Sequence, residues 1–196
     1  MLIEYVVNEH QDILGNQVQI LVQRAQQGDS AAFSSLYEEF SEPIFRFLYY
    51  RLGDRQTAED LTAEVFIRVI KSIRKYRPQQ PFRAWLFRIA RNLAIDFRRK
   101  YGNRHEQELD EAITGRQQSP EVATANTLNS DRLRQALEHL TPDQRDVIIL
   151  RFIGEMRISE VADALNKSHS AVKSLQSRGL QMLSQVMGTE LSDYDA

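Results

Sequence analysis

Five arginines, Arg83, Arg88, Arg91, Arg98 and Arg99, fall within residues 83–99, where Asp96 is the only acid. A guanidinium keeps its charge at any physiological pH and presents a planar fork of donors that matches phosphate oxygens. This density therefore points to gripping a polyanion rather than to a reaction. Phe87 and Ile95 point toward the arginine side, and an aromatic among cations is the combination that stacks on unpaired bases. The alternative for Phe87 is packing against a neighbouring helix. Trp85, at the edge of the apolar stripe, is expected to be structural. Asp96 falls inside that stripe and is expected to pair with an arginine or cap a backbone group rather than touch nucleic acid.

A second set lies near the C-terminus, where Ser170, Lys173, Ser174, Ser177, Arg178 and Gln181 share one face of a helix. Short hydroxyls let a helix approach closely, while long cations reach phosphates or guanine edges, so this face suits a DNA groove. The bland alternative is a helical hairpin with a solvated face. Asp60 and Glu64, at i and i+4, read by themselves as a solvated helix edge.

Nothing comparable supports catalysis. There is no Gly-rich phosphate loop, no carboxylate pair in a cleft pattern and no pairing of nucleophile with base. The chain has no cysteine, and His10, His105, His139 and His169 are scattered without ligand spacing. An enzyme, a metal site and a bound cofactor are therefore not expected.

Helical periodicity supplies the elements that must position these side chains. Phe33, Leu36, Tyr37, Phe40, Ile44, Phe47 and Leu48 recur at helical spacing up to a stop at Gly53, with Pro43 expected to bend or interrupt the run. Leu61, Val65, Val69 and Ile73 repeat the pattern, and "RPQQP" then breaks it. Phe82, Leu86, Ile89, Leu93 and Phe97 form the inward stripe of the arginine-bearing helix. Further on, Thr141, Pro142 and Gln144 spell a capping box at a helix start. "ISEVADALNKSHSAVKSLQSRGLQML" reads as a helix-turn-helix. Ser159 is its expected N-cap and Asn166, Lys167 and Ser168 its turn. The second helix begins near His169, with Val172, Leu175, Met182 and Val186 toward a core.

The net charge of −2 conceals a division. Residues 26–66 hold eight acids and three bases, whereas residues 68–101 hold eleven bases and one acid. One surface is thus built for a polyanion and its neighbour for something else. The N-terminus lacks a basic start and a continuous apolar run, and no stretch is long enough to span a bilayer, so a cytoplasmic protein without membrane insertion is expected. The expected fold class is all-α, with two small helical domains joined by a flexible linker. Residues 1–21 form an extension, 22–101 the first domain, 102–130 a polar acidic linker, 131–187 the helix-turn-helix domain and 188–196 an acidic tail.

Two blocks carry a family resemblance. "AEDLTAEVFIRVIKSI" with "PFRAWLFRIARNLAIDFRRK" resembles region 2 of bacterial RNA polymerase sigma factors of the extracytoplasmic-function type. "LTPDQRDVIILRFIGEMRISEVADALNKSHSAVKSLQSRGLQML" resembles region 4 of the same family, and the blocks lie in family order. The resemblance implies that Asp60, Glu64 and Phe66 bind the clamp coiled coil of core RNA polymerase, with the flap as a second contact. It implies that Arg83, Phe87, Arg88, Arg91, Asn92, Arg98 and Arg99 hold opened minus-ten promoter DNA. Asn92 would lie near a captured base. Ser170, Lys173, Ser174, Ser177 and Arg178 would read the minus-thirty-five element. An anti-sigma factor is a further implied partner. Against the family pattern, Ala63 replaces a glutamine, Asn166 a turn glycine, and "VKSLQSRG" is less basic than usual. A stand-alone helix-turn-helix regulator is the alternative, although it would not need the acidic stretch or the arginine helix.

Overall fold

The computed structural model describes residues 15–112 and 125–192, with side chains up to Tyr101 and from Asp131 to Gly188. Most of the N-terminal extension, the middle of the expected linker and the last tail residues lie outside the described residues. All regular structure among the described residues is helical. Helix α1 covers residues 15–26. It is followed by α2 (Ser30–Leu52), α3 (Arg55–Ser72), α4 (Phe82–Ala112), α5 (Ala125–Glu138), α6 (Pro142–Ile148), α7 (Ile158–Leu165) and α8 (His169–Ser192).

The first half is built from α1 to α4. Asp29 starts α2 by accepting from Ala31 N and Ala32 N at 2.9 and 3.1 Å, and Gly53 ends it in the left-handed region at φ 82°. Pro43 does not interrupt α2. The buried Phe40, Ile44, Phe47 and Leu48 hold the helix together across the missing backbone donor. Asp54 caps α3, accepting from Thr57 N at 2.7 Å. After the 3₁₀ turn Ile73–Lys75, Gln26 of α1 donates to Ile73 O and Tyr76 O, both at 2.9 Å. Tyr76, Phe82 and Trp85 then form an aromatic nest with ring separations of 5.1–5.6 Å, which makes Trp85 structural. This nest fixes where α4 begins.

Helix α4 continues to Ala112 and α5 starts at Ala125. Both reach into the stretch expected to be linker. Residues 102–112 hold three glutamates and no proline, so local propensity lets the helix continue.

The second half opens with the expected capping box. Thr141 N donates to Gln144 Oε1 at 3.0 Å and Gln144 N to Thr141 Oγ1 at 3.4 Å. Beyond Ile148 the helix widens into a π turn, Ile149–Ile153, with Gly154 N donating to Ile149 O at 2.8 Å. A Cβ on Gly154 would come within 2.9 Å of Leu150 O, so the turn needs glycine. Arg157, not Ser159, is the N-cap of α7, because Arg157 N donates to Glu160 Oε2 at 2.7 Å. Asn166 takes the left-handed conformation at φ 52° and turns the chain into α8. Val172 and Leu183 are buried on α8, whereas Met182, expected inside, is exposed. The inward stripe runs through 172, 175, 179, 183 and 186, and 182 lies one residue off it.

Candidate nucleic-acid interface

Helix α4 buries Phe82, Leu86, Ala90, Leu93 and Ala94 and packs against α2, α3 and α7, so its arginines do not share one environment. They then divide into two groups. Asn92, Ile95, Arg98 and Arg99 are exposed. Asp96 is also exposed rather than within the stripe, and pairs with Arg99 at 3.1 Å as an acid among arginines should. Such a solvated pair contributes little stability and leaves Arg99 available.

Arg83, Arg88 and Arg91 instead reach the second half of the chain. Arg83 donates to Gly154 O at the π turn. Arg88 donates to Asp163 O on α7 and, at 2.6 Å, to Gln80 Oε1. Arg91 Nε donates to Asp146 Oδ2 at 2.7 Å, and its Nη2 to Asp143 Oδ1 at 3.3 Å.

Asp146 is the centre of this seam. It is 0% exposed and also pairs with Arg51 of α2, itself 5% exposed. Burial, with Arg91, Arg98 and Arg145 nearby, pushes the Arg51 guanidinium down to about 9, so at neutral pH it remains a cation that needs a carboxylate. Asp143 also accepts from Lys167 in the helix-turn-helix turn at 2.8 Å. That hydrogen bond, with the charges of Lys167, Arg91 and Arg51, holds the Asp143 carboxyl below its ordinary value. Arg145 donates to Leu137 O at 2.8 Å and Glu138 O at 3.0 Å on α5, and to Arg51 O at 3.4 Å on α2. Burial lowers its pKa as well.

Helical periodicity does not reveal this seam. A signal for it exists: Asp146 stands immediately before the run "VIIL", every residue of which is buried. An acid in such company requires a cation, and only the fold shows which.

Two expected contact residues are core instead. Phe87 is 1% exposed and meets Phe47 edge to face with ring centroids 5.6 Å apart. It cannot stack on a base, because the inward turn of α4 places it between α4 and α2. Phe66 is 4% exposed and packs on Phe33 and Tyr37, at 6.5 and 4.7 Å. The surface of α3 next to it presents Asp60 and Glu64, held by Gln56 at 3.2 Å and Arg68 at 2.9 Å, together with the exposed Ile67 and Ile70. Motif reasoning misses those two isoleucines, although their exposure breaks the amphipathic rule.

On α8 the groove-facing set stays together. Ser170, Lys173, Ser174, Ser177, Arg178 and Gln181 all lie along the side turned away from α6, and all six are exposed. On the other side, Gly179 lies so close to α6 that a Cβ there would sit 2.9 Å from Ile148 Cγ1. Close packing behind the helix holds its polar face outward.

Two family models match the chain, Sigma-70 region 2 over residues 36–104 and Sigma-70, region 4 over residues 130–183. The ECF RNA polymerase sigma factor SigX of Bacillus subtilis is 36% identical over 157 residues, covering 77% of this chain and 81% of SigX. The chain belongs to the extracytoplasmic-function RNA polymerase sigma factors. BldN of Streptomyces coelicolor is likewise 36% identical, over 85% of this chain but only 64% of BldN's own length. Among solved structures, CnrH in complex with the cytosolic domain of CnrY matches with a TM-score of 0.70 and 25% identity, over 87% of this chain and 96% of that one. As a sigma factor the protein binds core RNA polymerase and directs it to promoters. A stand-alone regulator is not favoured, because region 2 is matched as well as region 4. No helix among the described residues is long and apolar enough to cross a membrane.

Proposed function

We propose a residue-level division of labour for this sigma factor. Residues 22–101 act as its region 2 domain and residues 131–187 as its region 4 domain. Asp60 and Glu64 meet the clamp coiled coil of polymerase, with Ile67 and Ile70 beside them supplying apolar contact, and region 4 meets the flap. Arg83, Arg88, Arg91, Arg98 and Arg99 hold the phosphates of opened minus-ten DNA, and Asn92 lies by a captured base. Extruding a base costs a few kcal/mol of stacking, which these contacts must offset. Ser170, Lys173, Ser174, Ser177 and Arg178 read the minus-thirty-five element. The protein works in the cytoplasm and does no chemistry itself, nucleotidyl transfer belonging to polymerase. An anti-sigma factor is a further partner, in the way that CnrH is held by the cytosolic domain of CnrY.

The observation that carries this reading is the outward polar face of α8, two cations among three serines, supported from behind by the Gly179 approach. The test is run-off transcription by purified core polymerase on a genomic fragment library, with and without the protein. New start sites that depend on the protein are expected. Stable core binding without any new initiation would refute it. Arg88→Ala with Arg91→Ala is expected to weaken promoter opening by the holoenzyme while core binding is retained. Equal loss of both would make these arginines structural only.

A further inference from the structure

We infer that Asp143 and Asp146 act as an internal substitute for DNA phosphate, keeping the free sigma factor closed with three of its region 2 arginines masked. The inference rests on the proposed DNA role of Arg83, Arg88 and Arg91. All three end on negative or partially negative groups of region 4, namely Gly154 O, Asp163 O and the two carboxylates. Asp163 O lies in the last turn of α7, the negative pole of that helix. A guanidinium whose fork is filled by a carboxylate has little left for a phosphate. Arg98, Arg99 and Asn92, farther along the same helix, remain open. The masking is thus partial, and it covers the end of α4 nearest the aromatic nest.

The chemistry of the seam separates it from ordinary packing. The buried apolar residues of the two halves form one cluster, and within it a fully buried carboxylate answers one arginine from α2 and one from α4. Both cations belong to region 2 and the acid to region 4, so separating the halves rehydrates all three groups. Ion pairs of this kind come close to balancing their own desolvation, which suits a contact that must open. Lys167 joins through Asp143 and links the seam to the turn before the recognition helix. Opening would free the arginines of region 2 and leave Asp143 to Lys167 within region 4.

The experiment uses the full chain without polymerase. Because the protein has no cysteine, Lys75→Cys and Ser184→Cys, both at exposed positions, place one spin label on each half. Distances are compared between this background and the same chain carrying Asp143→Asn with Asp146→Asn. Affinity for a fluorescein-labelled single-stranded DNA oligonucleotide is measured in parallel. A closed population about ten times the open one would weaken apparent DNA binding about tenfold. The substituted chain is expected to show longer distances and about tenfold tighter DNA binding.

Unchanged distances would overturn the inference. So would an opened chain with unchanged DNA affinity. The holoenzyme assay of Arg88→Ala with Arg91→Ala then locates that failure: intact promoter opening would mean that the arginines do not hold DNA, whereas impaired opening would mean that only the masking is wrong. If Asp146→Asn prevents folding, Asp143→Lys at its half-buried site replaces it: longer distances with tighter DNA binding are again expected, and no change in either again overturns the inference.

Discussion

Replacing Phe87 separates two roles that its sequence position leaves open. The ring is 1% exposed and meets Phe47 edge to face. Truncating a buried phenylalanine to alanine removes its transfer energy and leaves a cavity, about 3–5 kcal/mol in total. About 0.5–1.5 kcal/mol of that belongs to the ring pair itself. Phe87→Leu keeps most of the volume and is expected to lose no more than about 1.5 kcal/mol. The assay is urea unfolding of the full chain followed by far-ultraviolet circular dichroism, with linear extrapolation to water. Promoter opening by the reconstituted holoenzyme provides the second readout, and Phe87→Leu is expected to preserve it. A base-stacking role makes the opposite forecast. Stability would then change by no more than about 0.5 kcal/mol in either variant, and both would open promoters poorly. A loss below about 1 kcal/mol for Phe87→Ala, with promoter opening abolished, would refute the core assignment.

Three other perturbations probe the remaining surfaces. Gly179→Ala puts a methyl only 2.9 Å from Ile148 Cγ1. Overpacking of about 1–3 kcal/mol, partly offset by about 1 kcal/mol of gained helix propensity, is expected as a net loss in urea unfolding. Neutrality would mean that α8 can shift away from α6. Arg98→Ala with Arg99→Ala is expected to leave stability within about 0.5 kcal/mol. It should reduce the slope of log affinity against log salt for single-stranded DNA by about 1.4, two contacts' worth. An unchanged slope would remove these arginines from the DNA. Acid is expected to loosen the seam through Asp143. Its folded pKa is depressed below 3.8, so its contribution is complete above that value and disappears as pH falls through the lower folded one. The inter-label distance should lengthen on acidification below about pH 4, less steeply after Asp143→Asn; an identical acid response in the two chains would exclude Asp143 as its source.

Local signals in the sequence marked most of the fold. The capping box at Thr141, the left-handed Asn166 and the stop at Gly53 are chemistry between neighbours in the chain, and each stands where spacing placed it. Ser159 failed as a cap because Glu160 favours Arg157 instead. A helical wheel separates inside from outside but not one outside from another. It marked the five arginines as a single cationic face, whereas the fold sends three to region 4 and leaves two in water. It could not foresee that Phe87 would meet Phe47 or that Phe66 would meet Tyr37, since those partners come from a helix remote in sequence. Asp146 was legible only as an oddity, an acid leading into an apolar run whose cations lie 55 and 95 residues upstream.

Arg145 has a consequence of a different kind. With one guanidinium it finishes the backbone of α5 in its own domain and of α2 in the other. A lysine there could bring the charge but not the fork. Evolutionary drift at this position is therefore felt in both halves at once, and a chimera joining this region 2 to a relative's region 4 must inherit the residue that closes the ends of its neighbour's helices.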